Sequence, residues 1–174
     1  MIIHIVRHAE AIERSPLVPE EHRFLTRRGR RRFRKAAKSL ATLGIEPDII
    51  LTSPMIRSVQ TADILAEKLS YKRELAVSGL LAPGFGPDAL DDLLKTNPRA
   101  REIVIVGHEP DLGLLSQALL AVQAPCTLPK GGTVSFKRTA DGHGEAVFIQ
   151  MVTGSGRIVT SRSKALDHLQ RDGN

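Results

Sequence analysis

Three short apolar runs in this chain each stop at residues that can hold an anion, and this limits the folds open to it. Ile2 to Val6 runs directly into Arg7-His8. Ile49 to Leu51 is followed by Ser53-Pro54 and then Arg57. Ile103 to Val106 breaks at Gly107 and delivers His108. Runs this short, bounded by turn residues, read as strands, and helix-like stretches alternate with them. That alternation predicts an α/β fold with a central, mostly parallel sheet flanked by helices. In such a sheet ligands sit outside the carboxyl ends of the strands, so groups far apart in sequence can meet there.

The remaining elements follow from start and stop signals. Thr26 is placed to cap a helix reaching about Leu43, with Gly44 as its stop. Within it Phe33, Ala36, Ala37, Leu40 and Leu43 recur at helical spacing. The next strand is expected over Asp48–Leu51 and the next helix from Ile56 to about Leu69. A short strand is expected over Glu74–Val77, and a helix from Pro87 to about Thr96 with proline in its first turn. Glu102–Val106 reads as a buried strand and Pro110–Ala121 as a helix. Thr133–Arg138 and Glu145–Val152 read as a strand pair joined at Asp141-Gly142. From Ser161 onward the pattern fits either a short terminal helix or a frayed end.

At 174 residues the chain is long enough for one well-buried domain, expected to span 1–174. No apolar stretch approaches a membrane helix in length, and the start has no secretion signal. The lone Cys126 cannot form an internal disulfide, which fits a reducing cytoplasm. The net charge of +6 is uneven, because Arg27, Arg28, Arg30, Arg31, Arg32, Arg34, Lys35 and Lys38 crowd one segment. Nucleic-acid binding is one reading. A solvated basic helix face is favoured, since aromatics for base stacking are scarce and tryptophan is absent. A third reading is attraction of acidic or phosphorylated partners toward a nearby pocket.

Arg7 and Arg57 can fork onto phosphate oxygens, and His8 and His108 can attack phosphorus or stabilise its oxygens. Adjacent arginines oppose a bound cation, so no metal is expected. The Arg7-His8-Ala9-Glu10 start resembles the Arg-His-Gly signature of the histidine phosphatase superfamily, the phosphoglycerate mutase-like proteins. Leu25-Thr26 with Gly29, the block from Ser53-Pro54 through Arg57 to Gln60-Thr61-Ala62, and Gly107-His108-Glu109-Pro110 extend the match to roughly Leu120. Order and spacing are similar to the short phosphohistidine phosphatase branch, the SixA-like proteins. The resemblance implies a phosphoglycerate mutase-like fold, His8 as the phosphorylated nucleophile, and Arg7, Arg57 and His108 as the rest of the phosphate pocket, with Ser53 beside it. No cofactor is implied.

Two departures matter. Ala9 stands where the family's glycine is usual. The stretch matching the family's mid-chain acid, Leu80-Leu81-Ala82-Pro83-Gly84, has no carboxylate. An alkoxide leaving group needs a strong acid, whereas a phosphohistidine needs much less help. Asp88, Asp91 and Asp92 read as helix-capping and solvating residues, and Glu10 and Glu109 as neighbours of the motifs. Ala11 to Leu25 and Leu80 to Pro87 offer little material for a lid, so an open pocket is expected. Together these features predict hydrolysis of phosphohistidine on a protein through phospho-His8. The alternatives are a small-molecule phosphomonoesterase using the same residues, and a non-catalytic phosphate- or nucleic-acid-binding module. The substrate is thus a phosphorylated protein or a small phosphorylated molecule, with no specific nucleic acid and no membrane partner.

Overall fold

The computed structural model describes residues 1–138 and 146–171. Its strands are β1 (Ile2–Arg7), β2 (Ile49–Thr52), β3 (Ala76–Val77), β4 (Glu102–Gly107), β5 (Thr133–Lys137), β6 (Val147–Val152) and β7 (Ile158–Val159). Its helices are α1 (Arg27–Thr42), α2 (Ile56–Leu69), α3 (Pro87–Lys95), α4 (Asp111–Leu120) and α5 (Arg162–Arg171). The seven strands form one mixed, mostly parallel sheet in the order β3-β2-β4-β1-β5-β6-β7. From β3 to β1 all neighbours are parallel, and from β1 to β7 they alternate in direction.

Strand periodicity explains the layering. Ile3, Ile5, Ile103 and Ile105 point to one face, where Leu90 and Leu93 of α3, Leu112 and Leu115 of α4 and Leu169 of α5 cover them. Val6, Val104, Val106 and Ile50 point to the other face, against Phe33, Ala37 and Leu40 of α1 and Ile64 and Leu65 of α2. Each large side chain buried this way contributes roughly 1.5–3 kcal/mol. His4 sits within β1 on the second face and is held by Ser135 Oγ at 2.7 Å and Glu102 Oε1 at 3.0 Å, a structural histidine.

Local signals behave as expected at α1. Thr26 caps it by accepting the Gly29 amide at 2.8 Å, and Gly44 follows its end with φ +72°. Gly29 itself is dictated by packing: a Cβ there would lie 2.1 Å from the Glu10 carbonyl oxygen. The β3 strand is shorter than its sequence suggested, beginning at Ala76. The Asp141-Gly142 turn lies outside the described residues, while β5 and β6 on either side of it do pair antiparallel. The terminal segment forms α5, whose Ala165 and Leu169 are buried in the first core. The small strand β7, unanticipated, closes the antiparallel edge.

Candidate active site

Register brings the motif ends together. Arg7 of β1 pairs with Gly107 of β4, and the His8 amide continues the ladder by donating to the Gly107 carbonyl at 3.0 Å. On the far side of β4 the Ser53 amide donates to the Val106 carbonyl at 3.0 Å. Three chain segments therefore leave the sheet at one level. The His8 and His108 rings lie 5.2 Å apart between centroids, tilted by 57°. Ala9 turns the chain away at that point. It is buried, and its amide donates to Thr61 Oγ1 at 3.0 Å, so the methyl replacing the usual glycine is accommodated.

The partners of His8 fix its tautomer. Its Nδ1 lies 2.8 Å from the Ala9 carbonyl oxygen, which can only accept, so Nδ1 carries the proton. Arg57 Nε, which can only donate, points at His8 Nε2 at 3.2 Å. Nε2 therefore presents a lone pair. Burial, with help from the charges of His108, Arg57 and Arg7, lowers the His8 pKa to about 3, against the support of the Ala9 hydrogen bond. The ring is neutral, and nucleophilic at Nε2, throughout the physiological range.

His108 is buried, and its Nε2 faces Ser53 Oγ at 2.7 Å and Ser58 Oγ at 3.3 Å. Burial, then the Arg57 charge, lowers its pKa to about 4, with Glu20 acting in the opposite sense. Its Nδ1 is buried without a hydrogen-bond partner among the described residues. Ser53, expected beside the phosphate, is fully buried behind His108 and also accepts from the Met55 amide at 3.3 Å. Arg7 donates from NH1 to the Leu128 carbonyl. Gln60 and Thr61 serve as latches: Gln60 Oε1 accepts the Leu25 amide at 2.8 Å, and Thr61 donates to the Arg57 carbonyl at 2.6 Å.

Two acidic residues gain significance only in the folded chain. Glu20, in a short 3-10 turn of the loop between β1 and α1, faces Arg57 twice: its carbonyl accepts NH1 at 2.7 Å and its Oε1 lies 3.0 Å from NH2. The loop read as poor lid material thus reaches the site. Partial burial would raise the Glu20 pKa, but hydrogen bonds from Arg14 and Arg23 and the charge of Arg57 outweigh it and lower it. The Glu20 carbonyl and carboxylate thus occupy both terminal nitrogens of Arg57. No sequence signal marked Glu20, which lies in no periodic segment. Glu109 was marked by its place after His108. It is half-buried and accepts the Leu128 amide at 3.1 Å, on the same peptide run whose carbonyl holds Arg7. Burial, opposed by that hydrogen bond and by Arg7, raises its pKa to about 7. The rest of this motif is structural: Asp111 Oδ2 accepts the Gly84 amide at 2.8 Å, and a Cβ at Gly113 would lie 2.2 Å from the Cys126 carbonyl oxygen. Glu10 is tied to Thr26 Oγ1 at 3.0 Å, and Asp91 and Asp92 are engaged with Arg138 and Lys95.

The two depressed histidines predict acid sensitivity. Below about pH 6.5 the unfolded chain takes up protons at these positions that the folded chain refuses until about pH 4 and 3. The stability these two groups contribute is full above the unfolded value and falls as pH drops through this window, while Glu109, raised by burial to about 7, takes up a proton in the folded chain there and offsets about one of them. Urea unfolding midpoints should decline between pH 6.5 and 4.5, where the carboxylates of Glu20 and Asp48 have not yet protonated. The double replacement His8→Asn, His108→Gln should remove that decline and leave the opposite, shallower slope of Glu109, and an unchanged decline would refute this origin.

The family model of the histidine phosphatase superfamily (branch 1) matches residues 3–78, the stretch that carries Arg7, His8 and Arg57. An uncharacterized protein of Picosynechococcus is 33% identical over 144 residues, covering 80% of this chain and 87% of that protein. The chain belongs to the histidine phosphatase superfamily. It is accordingly of phosphatase type, and its substrate carries a phosphoryl group. The serine/threonine-protein phosphatase Pgam5 of Drosophila melanogaster is 33% identical over 74 residues, but the match spans only 25% of that protein. Among solved structures, the protein histidine phosphatase SixA complexed with tungstate superposes with a TM-score of 0.79 at 22% identity, covering 88% of this chain and 97% of SixA. A phosphoserine phosphatase mutant from Entamoeba histolytica gives 0.59 at 17% identity, covering 86% and 95% of the two chains. These likenesses establish a phosphoglycerate mutase-like fold, shared by superfamily members named for different substrates.

No described helix is long and apolar enough to cross a membrane.

Proposed function

We propose that the chain, as one domain over 1–174, hydrolyses phosphohistidine on a protein in two steps through phospho-His8. The observation that carries this reading is the His8 hydrogen-bond pair: Nδ1 held by the Ala9 carbonyl, Nε2 unprotonated and facing Arg57. In the first step the Nε2 lone pair attacks phosphorus and the substrate's P–N bond breaks. The departing imidazole nitrogen keeps the bonding pair and takes a proton from solvent. Arg57 Nε moves its hydrogen bond from His8 to a phosphoryl oxygen. Arg7 and Arg57 neutralise charge spreading over those oxygens, the neutral His108 ring offers them a hydrogen bond, and Ser53 orients His108. In the second step water attacks phospho-His8, releasing inorganic phosphate and restoring the Nε2 lone pair.

Substrate choice rests on the acids. Glu20 is ionised against its arginines and holds no proton to give. Glu109 is turned to the Leu128 amide. A leaving group that departs without a positioned acid suits this site, and phosphohistidine is such a group. A reducing cytoplasm suits its lone, buried cysteine. Two arginines at the site disfavour a metal cation.

The test is a side-by-side assay of a phosphohistidine protein and sugar phosphates, with and without excess chelator. Phosphohistidine should be hydrolysed at least about a hundredfold faster in kcat/KM. Chelator should leave the rate unchanged, and vanadate should inhibit by imitating five-coordinate phosphorus. Preference for a sugar phosphate would favour the small-molecule reading, and a chelator-sensitive rate restored by a divalent metal would reject the metal-free one.

A further inference from the structure

Beside Arg7, on the side away from α2, lies a cavity of about 770 Å³. Five segments that the sequence keeps apart build it: the turn after β1, the first half of α1, the loop from Thr127 to Gly131, the turn between β6 and β7, and His168 of α5. Arg7 lines it and also follows β1 into the phosphoryl pocket at His8. Arg7 is thus the residue that the groove and the His8 site have in common.

The chemistry of the lining is one-sided. Arg32, Lys130 and Arg157 come from three different segments, are all exposed, and converge on the groove. None of the three has an acidic partner among the described residues, whereas Arg14, Arg23 and Arg57 share Glu20. The one acid in the lining, Glu10, is already engaged by Thr26 Oγ1 at 3.0 Å and Arg28 at 3.6 Å. Thr153 and Ser155 add hydroxyls to the wall. Of the two rings in the lining, Phe33 is fully buried and His168 of α5 is half-buried. Nucleic-acid bases would find no exposed phenyl or indole platform here. The volume far exceeds one phosphoryl group, given about 30 Å³ per water. Arg32 also stands apart from the other arginines of its helix, since Arg27, Arg28, Arg30, Arg31 and Arg34 surround a separate surface depression.

We propose that this groove binds an acidic polypeptide segment flanking the phosphorylated side chain of the substrate protein. The inference rests on the protein-phosphatase reading above and gives it a substrate class. Carboxylates of the segment pair with Arg32, Lys130 and Arg157. The segment's main chain bonds to the hydroxyls, and Arg7 sits at the junction with the phosphoryl group. Specificity then comes from charges outside the reacting centre.

The experiment uses two readouts on wild type and the triple replacement Arg32→Gln, Lys130→Gln, Arg157→Gln. Fluorescence anisotropy measures binding of a short unphosphorylated peptide rich in Asp and Glu, against a neutral peptide and a single-stranded RNA. Kinetics compare phosphohistidine peptides with acidic and neutral flanks. Wild type should bind the acidic peptide in preference to the other two and favour the acidic-flanked substrate by about tenfold, mainly in KM. The triple replacement should lose both preferences while keeping aryl phosphate turnover, which also reports that it is folded. Retention of the preference in that variant, its loss instead on replacing Arg30, Arg31 and Arg34, or tighter binding of RNA would overturn the proposal. Acidic-peptide binding that depends on the three residues, without phosphohistidine hydrolysis, would leave the groove standing and reject the phosphohistidine reading. Hydrolysis with no flank preference would do the reverse.

Discussion

Replacing His8 by alanine should lower turnover by about a thousandfold or more, equivalent to roughly 4 kcal/mol of barrier. The reason is geometric. His8 Nε2 is the one ring nitrogen of the histidine pair held as a bare acceptor beside a guanidinium, with its opposite nitrogen fixed by a carbonyl. No neighbouring side chain can substitute. Ser53 and Ser58 turn their hydroxyls to His108, and Thr61 spends its own on the Arg57 carbonyl. Replacing His108 by alanine removes stabilisation of the phosphoryl oxygens but not the nucleophile, so residual activity should persist. Brief incubation of wild type with labelled substrate should trap label that is acid-labile and base-stable, and peptide mapping should place it on His8. Label on another residue, or full activity in the alanine variant, would remove His8 as the nucleophile.

The rate should also depend steeply on the leaving group. Phosphohistidine and aryl phosphates should be turned over, and alkyl phosphates should be slower by about a hundredfold or more, the usual worth of a general acid. An aryloxide departs unaided, whereas an alkoxide does not. The folded chain narrows the field of acids that could contradict this. Glu10 is bound to Thr26, and Asp88 sits in the exposed first turn of α3. Glu20 is ionised among three arginines. Glu109 has a pKa raised by burial to about 7 and so carries a proton part of the time, but it is turned to the Leu128 amide. Glu20→Gln and Glu109→Gln should therefore change aryl and alkyl rates by similar factors. Glu20→Gln should in addition lower KM for both, because it weakens a competitor for the Arg57 fork. If either replacement selectively destroys alkyl phosphate hydrolysis, that residue is the acid, and a small-molecule phosphomonoesterase becomes the better reading.

Much of this was legible in the sequence because it depends on local pattern. Alternation in Ile2–Arg7 and Glu102–Gly107 assigns Ile3, Ile5, Ile103 and Ile105 to one face and Val6, Val104 and Val106 to the other, and this requires helices on both sides. Thr26 and Gly44 mark the limits of α1 through backbone chemistry that involves only their neighbours. Arg7 ends β1, His8, Ser53 and His108 directly follow strands, and Arg57 opens the helix after β2, so the fold class alone brings them to one edge of the sheet. Ser53 shows where that reasoning stops: position past a strand end does not say which way a side chain turns, and its hydroxyl faces His108.

What only the tertiary structure decided are contacts between segments with no periodic signal linking them. The Ala9 carbonyl as the holder of His8 Nδ1 depends on the turn that Thr61 latches from α2. Glu20 meets Arg57 across 37 positions through a loop whose path is fixed by Gln60 and by the bridge between Ala11 and Leu25. The basic groove needs α1, the Thr127–Gly131 loop and the β6–β7 turn to close around Arg7. Sequence pattern specifies which residues face a core, because burial of apolar area repeats with the period of the element. Hydrogen bonds and ion pairs are single, directional contacts, and their partners are chosen only when the packed elements set the distances.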